Sequence, residues 1–259
     1  MNGKIKRILV TVKAYPNPSK KYSETVCCAG IDLENNQLVR LYPIPFRDLD
    51  NDQKFKKYSI IEINCSPPSD DKRPESLRVD ADSIDVVEVI DTEKGTWKKR
   101  KDIVLNMTVK SMCQVYQDVE GKDHSLGLIK PENISFDWVK QSLSDQKTRE
   151  SCYAQLSFFD KQKNAIEEIP YSFYYSFKCF DVDKCPGHKL SIIDWEIGQA
   201  YRDWRRRYST ENILLDKIKQ RWLDIANTNK KDVYFYVGNM KRFRNTFMVL
   251  GVFYPPKIV

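Results

Sequence analysis

The sequence predicts an α+β protein in which most strands are antiparallel. Three observations support this fold class. Five alternating, β-branched segments occupy the first third of the chain, amphipathic helical patterns follow, and two helical segments near the end precede an aromatic strand pair. The chain has 259 residues, of which 41% are hydrophobic and 12% aromatic. It is therefore long enough to bury a sizeable core.

The N-terminal part predicts five strands. They are RILVTVKAYP at 7–16, ETVCCAGIDL at 24–33, QLVRLYPI at 37–44, KYSIIEINCSPP at 57–68 and SIDVVEVID at 83–91. The turn Glu34-Asn35-Asn36 predicts that the second and third strands form an antiparallel hairpin. A strand-rich start of this kind can close into a small barrel. The segment FRDLDNDQKF at 46–55 predicts a short helix.

The rest of the chain predicts a helical middle, then a C-terminal αα-hairpin and a β-hairpin. The middle helices cover 96–107 and 109–119, and an aromatic strand covers 169–180. The αα-hairpin follows from two apolar stripes, the first from Ile193 to Tyr208 and the second within 210–227. The last hairpin joins VYFYV at 233–237 to TFMVLGVFY at 246–254.

We predict a strand-rich N-terminal part, 1–92, and an α+β C-terminal part with a basic helix pair, 93–259. One compact domain is the alternative.

Positive charge is concentrated in the last quarter of the chain. Residues 201–259 carry 13 Lys and Arg against 5 Asp and Glu, a net charge of +8. Residues 1–200 carry 30 against 31, a net charge of −1. This asymmetry indicates a polyanionic partner, and a solvated basic helix is the simpler alternative.

The location expected from the sequence is the cytoplasm. The polar start Met1-Asn2-Gly3-Lys4 lacks the layout of a signal peptide. No segment approaches about 18 uninterrupted apolar residues, so no membrane partner is expected. The seven cysteines are odd in number and scattered, which favours reduced thiols.

One run of the sequence combines metal-ligand residue types at short spacing. Cys179, Cys185 and His188 lie within ten residues, and Pro186-Gly187 forms a turn that lets Cys185 and His188 converge. Zinc prefers four such ligands, so this run predicts a zinc site whose fourth ligand comes from another residue or from water. The candidates for that ligand are Cys27, Cys28, Cys65, Cys113, Cys152, His124, Asp181, Asp183 and water. The alternative is a set of reduced cysteines and a surface histidine.

Two carboxylates follow this run. Asp194 and Glu196 flank Trp195 and can share a divalent ion only if they lie on a strand or a bent segment. The pattern Ser191-x-x-Asp194 is typical of a capping box, in which Ser191 caps the helix. This structural role accounts for Asp194 without catalysis. If the two carboxylates do share a divalent ion, the protein is a metal-dependent nuclease that uses Asp194 and Glu196, which is the second functional hypothesis.

Basic and aromatic residues interleave in several segments that predict nucleic-acid contacts. Arginine binds phosphate well because its planar guanidinium donates paired hydrogen bonds. Half-buried sheet residues and turn residues are the structural alternatives. The predicted nucleic-acid-binding residues are Arg202, Arg205, Arg206, Lys241, Arg242, Arg244, Lys13, Tyr15, Arg40 and Arg47. In DKRPES, Arg73 and Glu75 flank Pro74, and an internal ion pair accounts for them.

Several stretches together resemble a family of uncharacterised prokaryotic proteins. They are ILVTVKAYP, RLYPIPFR, KYSIIEI, RPES, SLGLIKP, CPGH with IIDWE, and the closing FYVGN and GVFYPP. The resemblance covers nearly the whole chain. It implies a single architecture and a microbial, cytosolic setting, and it assigns no catalytic residue. Proteins of this kind often accompany mobile-element or phage-defence genes, so the resemblance also suggests an accessory role in such a system.

The leading hypothesis is a protein that binds DNA or RNA, mainly through phosphates and with strong salt dependence. The alternatives are the nuclease and a protein-interaction subunit of a larger complex.

Overall fold

The computed structural model describes residues 3–14, 17–19, 23–122, 124–142, 169–241 and 243–257. Two of the predicted nucleic-acid-binding residues, Tyr15 and Arg242, lie outside these ranges, as does Cys152. The fold is mixed α+β and rich in strands, as predicted. Among the described residues, no helix is long and apolar enough to cross a membrane.

The N-terminal part is a closed five-stranded barrel, which confirms the barrel expected from the sequence. The ring runs β1-β3-β4-β6-β5, and β1 pairs with β5 to close it. All ring pairings are antiparallel except β4–β6. The strands are β1 Lys4–Lys13, β2 Asn17–Ser19, β3 Ser23–Asp32, β4 Gln37–Ile44, β5 Ser59–Ser66, β6 Ser76–Val79 and β7 Asp85–Val89, where β2 pairs with β3 and β7 with β5.

Strand β1 is apolar on both faces because it lies between two cores. Ile8 and Val10 belong to the core inside the barrel. Leu9, which points the other way, belongs to a second core outside it. The predicted short helix at 46–55 is wrong: this segment forms turns, with Phe55 buried in the barrel core.

The C-terminal part is a seven-stranded mixed sheet with helices. The strand order is β10-β11-β12-β14-β13-β9-β8, with parallel pairs β12–β14 and β8–β9. The strands are β8 Val109–Lys110, β9 Leu126–Ile129, β10 Pro131–Lys140, β11 Tyr171–Cys179, β12 His188–Ile192, β13 Tyr234–Asn239 and β14 Phe247–Phe253. The α-helices are α1 Lys98–Val104, α2 Met112–Lys122, α3 Trp195–Trp204 and α4 Glu211–Ile225. Two short 3-10 helices lie at Ala81–Ser83 and Glu93–Gly95.

Helices α3 and α4 follow each other and contact each other. Helix α3 begins differently from the prediction. Ser191 pairs with β11 and β14 inside strand β12, so it is not the cap. Asp194 is the N-cap instead, and its carboxylate accepts a hydrogen bond from the backbone N–H of Glu196.

The two parts of the chain share one of the three cores. Barrel residues such as Leu9 and Ile31 pack in the same cluster as Tyr236 and Phe253 of the C-terminal sheet. A second link is the backbone bridge between Ala14, at the end of β1, and Asp194. The start of α3 is therefore held against the barrel.

Candidate metal centre

Three cysteines and one histidine converge between α2 and the β11–β12 connection. Cys113, Cys179, Cys185 and His188 each offer one ligand atom, and these four atoms lie within 4.8 Å of one another. Cys113 lies in the first turn of α2, Cys179 ends β11, and His188 begins β12. The structure thus places the three predicted ligands together and identifies Cys113 as the fourth candidate.

Five of the six spacings between these atoms are compatible with a tetrahedrally coordinated metal ion, for which zinc gives the reference values. Zn–S bonds of about 2.3 Å and Zn–N bonds of about 2.0–2.1 Å place two sulfurs roughly 3.8 Å apart, and a sulfur and a nitrogen roughly 3.6 Å apart. The Sγ of Cys113 lies 3.8 Å from that of Cys179 and 3.9 Å from that of Cys185. The Nε2 of His188 lies 3.5, 3.4 and 3.3 Å from the sulfurs of Cys113, Cys179 and Cys185.

The turn between Cys185 and His188 depends on glycine. Gly187 has a φ of +85°, in the left-handed region that other residues rarely adopt. This conformation brings His188 back toward Cys185, which lies only three positions earlier. The Cys-Pro-Gly-His turn therefore brings two candidate ligand atoms together within four residues.

Backbone N–H groups support two of the sulfurs. The N–H of Cys179 donates to the Sγ of Cys185 at 3.3 Å, and the N–H of Met112 donates to the Sγ of Cys179 at 3.2 Å. Burial opposes ionisation of Cys185, but backbone donors from Cys179 and Gly187 outweigh it and lower the pKa of that thiol. The donors thus favour the thiolate of Cys185, the form that binds metal, whereas burial raises the pKa of Cys179 to about 12 despite its donor.

Aromatic rings enclose the histidine. The imidazole of His188 stacks on Tyr116 at 5.9 Å between centroids and lies 5.5 Å from the ring of Phe177. Burial lowers the pKa of His188, which favours the neutral imidazole that a metal requires.

Several other proposed fourth ligands within the described ranges lie outside the cluster. Asp181 and Asp183 are exposed on the connection that leads to Cys185, and neither belongs to the cluster found among the described residues. Cys28 and Cys65 are buried in the barrel core. Sequence spacing alone could not single out Cys113, because it lies 66 positions before Cys179.

The predicted nucleic-acid-binding residues near α3 lie at its C-terminal end. Arg205 and Arg206 are exposed in the turn that follows the helix, as is Arg207. Arg202 is half-buried and donates to Gln199.

The predicted residues of the β13–β14 loop lie on a separate segment. Lys241 pairs with Asp70 of the barrel part at 2.9 Å, with 46% of its side chain exposed. Arg244 is half-buried. Phe243, which lies between Lys241 and Arg244 in the sequence, is more exposed than either of them, at 61%.

The predicted residues of the barrel part differ in exposure. Arg47 is exposed. Arg40 is only 5% exposed and donates to the hydroxyl of Ser125 at 2.8 Å, so it faces the C-terminal part and not solvent. The ammonium of Lys13 donates to the carbonyl of Phe55 at 3.3 Å and lies 4.3 Å from the Phe46 ring centroid, and burial lowers its pKa.

Asp194 and Glu196 converge on a lysine that sequence reasoning missed. The ammonium of Lys57 lies 2.8 and 2.7 Å from the two carboxylate oxygens of Asp194, and 3.3 Å from Glu196. Burial works against the charge on Lys57, but Asp194 and Glu196 outweigh it and raise the pKa of the lysine. The position between the two carboxylates is therefore taken by an ammonium group.

The RPES segment also differs from the prediction. Arg73 pairs with Asp71 at 2.6 Å and not with Glu75. Its guanidinium also donates to the carbonyl of Asn239 at 3.0 Å. Glu75 accepts hydrogen bonds from the backbone N–H groups of Ser125 and Leu126. The predicted Arg73–Glu75 ion pair is thus wrong, because both side chains bind the C-terminal part.

Comparison with known proteins identifies two adjacent family models. A model described as Domain of unknown function (DUF8758) matches residues 4–106, and one described as Domain of unknown function (DUF8757) matches residues 108–259. No curated protein matches the sequence. The predicted resemblance to an uncharacterised family is confirmed. Because the second model covers more than half of the chain, this protein belongs to the DUF8757 family.

Proposed function

We propose that the cysteine–histidine cluster holds a structural zinc ion. The observation that carries this proposal is the agreement between five of the six ligand spacings and the edges of a zinc tetrahedron. Three thiolates and an imidazole are ligands that zinc prefers. All four positions come from protein side chains, an arrangement typical of a structural site. The ion would join α2 to the β11–β12 connection and so stabilise the sheet that leads into α3.

Elemental analysis tests the zinc proposal. Protein purified without a metal-chelating tag should contain about one zinc per chain, because four protein ligands close the site. Removal of the ion with a chelator should lower the thermal midpoint, since the metal binds only the folded state. Metal-free protein with an unchanged midpoint would rule out a structural zinc ion.

We further propose that the protein binds nucleic acid through the basic turn, defined as Arg205, Arg206 and Arg207. Its support is the exposure of three successive arginines at the end of a helix whose start is fixed. Helix α3 has 10 residues and is therefore about 15 Å long. Its N-terminus is held by the ion pair between Asp194 and Lys57.

The β13–β14 loop supplies a second kind of contact. Phe243 is 61% exposed, and Lys241 and Arg244 lie close to it in sequence. An exposed aromatic ring among basic residues can stack on an unpaired base. Five-stranded barrels also bind oligonucleotides in other proteins, which is an analogy of fold alone. We therefore favour a single-stranded ligand over a duplex.

Fluorescence anisotropy with labelled single-stranded DNA and RNA, at two salt concentrations, tests this proposal. The variant Arg205→Glu/Arg206→Glu/Arg207→Glu should weaken binding at least about tenfold. The plot of log affinity against log salt has a negative slope, and the variant should make it less steep by about 2 to 3. The matched control is Lys54→Glu/Lys72→Glu/Lys98→Glu. It changes the net charge equally, at three exposed lysines of the N-terminal segment. Equal loss in both variants would contradict a site at the basic turn.

The nuclease hypothesis has less support, since Lys57 occupies the position a metal would need between Asp194 and Glu196. Incubating single-stranded substrates with Mg²⁺ or Mn²⁺ separates the two functions, because a binding protein leaves the strands intact. The accessory role in a mobile-element or defence system depends on the sequence resemblance and stays a prediction.

A further inference from the structure

The β13–β14 loop, which connects Asn239 to Phe247, has an exposed tip and a buried base. At the tip, Met240 and Lys241 are exposed, and Phe243 is 61% exposed. At the base, Asn239 is only 4% exposed although its side chain is an amide. A buried amide is costly unless its polar groups are hydrogen-bonded, so the contacts of Asn239 show what this residue does.

Each polar group of Asn239 has a partner. Its backbone N–H donates to the carbonyl of Ser125 at 3.0 Å, and its side-chain N–H₂ group donates to the carbonyl of Arg244 at 2.6 Å. Its backbone carbonyl and its side-chain oxygen both accept from the guanidinium of Arg73, at 3.0 and 3.4 Å. Asn239 therefore bonds across the loop that it begins and also to the barrel part.

Arg73 contacts Asn239 through donors whose directions are fixed. Its side chain is 6% exposed. Its Nε and Nη2 donate to the carboxylate of Asp71 at 2.8 and 2.6 Å, which leaves Nη1 for Asn239. Because a guanidinium is planar and rigid, this pair of contacts fixes the position of Asn239 relative to Asp71.

Stability alone does not account for this buried network. Replacing a buried ion pair with apolar side chains is often neutral or stabilising, because desolvation of the charges offsets their attraction. The network does define one geometry for the start of the loop. The end of the loop is fixed separately, since Phe247 is buried and its ring lies 5.2 Å from the ring of Tyr116.

A loop that is fixed at both ends loses little conformational freedom when a ligand binds its tip. Stacking on Phe243 requires the ring to lie at a defined distance and angle. The flexible side chain of Lys241, by contrast, can follow a phosphate if the loop moves. Placement of Phe243 is therefore the property of the tip that depends most on the buried base.

We propose that Arg73 and Asn239 are positioning residues for the binding of single-stranded nucleic acid. They hold the β13–β14 loop in the conformation in which Phe243 stacks on an unpaired base. Arg73 lies 166 positions before Asn239, so the first family segment sets the geometry of a contact made by the second. This inference rests on the proposed function and extends it to two buried residues.

A double-mutant cycle tests the proposal, with fluorescence anisotropy of labelled oligoadenylate strands of DNA and RNA. Phe243→Ala should weaken binding about 5- to 150-fold, the range for one base stacked on an aromatic ring. Arg73→Lys keeps the charge but loses the planar guanidinium, and it should weaken binding about 5- to 20-fold. Added to Phe243→Ala, it should weaken binding by less than about twofold more, because it acts through the ring. The salt dependence should stay at the wild-type slope, since no charge is lost.

The matched control is Arg7→Lys. Arg7 lies on β1, has 52% of its side chain exposed and pairs with Glu62 at 3.7 Å, so the same change there should leave affinity unchanged. Asn239→Leu covers the case in which Arg73→Lys fails to fold. It changes no charge and removes the side-chain hydrogen bonds to Arg73 and Arg244. It should give a loss of the same size and the same dependence on Phe243.

Three outcomes would count against the inference, and they are distinguishable. Equal losses from Arg73→Lys in the presence and absence of the Phe243 ring would overturn it, because they would show a general structural role. Strand binding that is lost in the triple arginine variant but unaffected by Phe243→Ala, Arg73→Lys and Asn239→Leu would also overturn it and leave the basic turn intact. Absence of strand binding by the wild type would contradict the proposed function itself, and the inference with it.

Discussion

Cys113 completes the cluster, because it adds a fourth candidate ligand to the three that lie close together in the sequence. It lies on α2, so its sulfur connects a helix to the β11–β12 connection. Cys113→Ser should reduce zinc from about one per chain to a substoichiometric level after dialysis against a chelator, because three ligands bind zinc more weakly than four. Metal analysis and thermal unfolding provide the measurements.

A cysteine outside the cluster is the control for this prediction. Cys65 is buried in the barrel core, so Cys65→Ala should lower stability through lost packing while zinc content stays stoichiometric. Full zinc retention in Cys113→Ser would show that the fourth ligand is another group.

Local spacing could predict three of the four candidate ligands because Cys179, Cys185 and His188 lie within ten residues, across the β11–β12 connection. The fourth depends on how α2 packs, and helix packing is not readable from the spacing of one segment. The same limit applies to Lys57, which meets Asp194 across 137 positions. Arg40 and Arg47 also differ in burial, although both lie in the same basic and aromatic stretch: Arg40 is buried and Arg47 is exposed.

The carboxylate of Asp71 predicts a pH dependence of stability. Burial opposes ionisation, but hydrogen bonds and charge from Arg73 outweigh it and lower the pKa of Asp71 to about 2. The unfolded value is about 3.9. The stabilising contribution is therefore present above pH of about 4 and is lost as the pH falls toward about 2.

Thermal midpoints of the wild type and Asp71→Asn, compared across this range, measure that contribution. The variant should have the lower thermal midpoint near neutral pH. The difference between the two midpoints should shrink as the pH falls from about 4 to about 2. A difference that stays constant down to the lowest pH would mean that the carboxylate charge contributes nothing.

At the scale of elements, the Cys185–His188 turn depends on backbone conformation. Gly187→Ala forces a side chain onto a φ of +85° and should destabilise the protein by about 1 kcal/mol or more. It should also weaken zinc binding, because strain in the turn moves His188 away from Cys185. Thermal unfolding and competition with a zinc-binding dye measure the two effects.

Helix α2 offers the matched glycine. Gly121 lies within this helix, and a Cβ there would meet nothing within 4 Å. Gly121→Ala should therefore raise stability by about 0.5–1 kcal/mol and leave zinc affinity unchanged. Equal effects of the two substitutions would contradict the role of the positive φ.

The sequence predicted elements better than their connections. Apolar, β-branched runs bounded by turn residues identified the barrel strands, although β1 is buried on both faces and does not alternate. The capping pattern misplaced the start of α3, because Ser191 has a competing role in the sheet. The 46–55 segment has a helix-like composition, but the barrel holds it as turns through Phe55. Tertiary packing overrides local preference in both cases.

At the scale of the whole molecule, the two family segments meet across a shared core. Its residues come from both sides of the boundary near residue 107. Those of the first segment and the linker are Leu9, Val12, Ala29, Ile31, Tyr58, Ile60, Ile90, Val104 and Met107, and those of the second are Leu128, Tyr234, Tyr236, Met248, Leu250 and Phe253. Separating the segments would expose this surface to water, which is unfavourable.

The full chain should therefore unfold in one cooperative transition, and neither segment should fold alone. Differential scanning calorimetry of the zinc-loaded protein should give a single endotherm, in which both segments unfold together. Residues 1–106 and 108–259, expressed separately, should each give poorly dispersed amide NMR spectra or aggregate, because Leu9, Ile31, Tyr236 and Phe253 lose their partners. Two resolved transitions, or a well-dispersed spectrum from either fragment, would show that the segments are independent domains and that the shared core is only a contact between them.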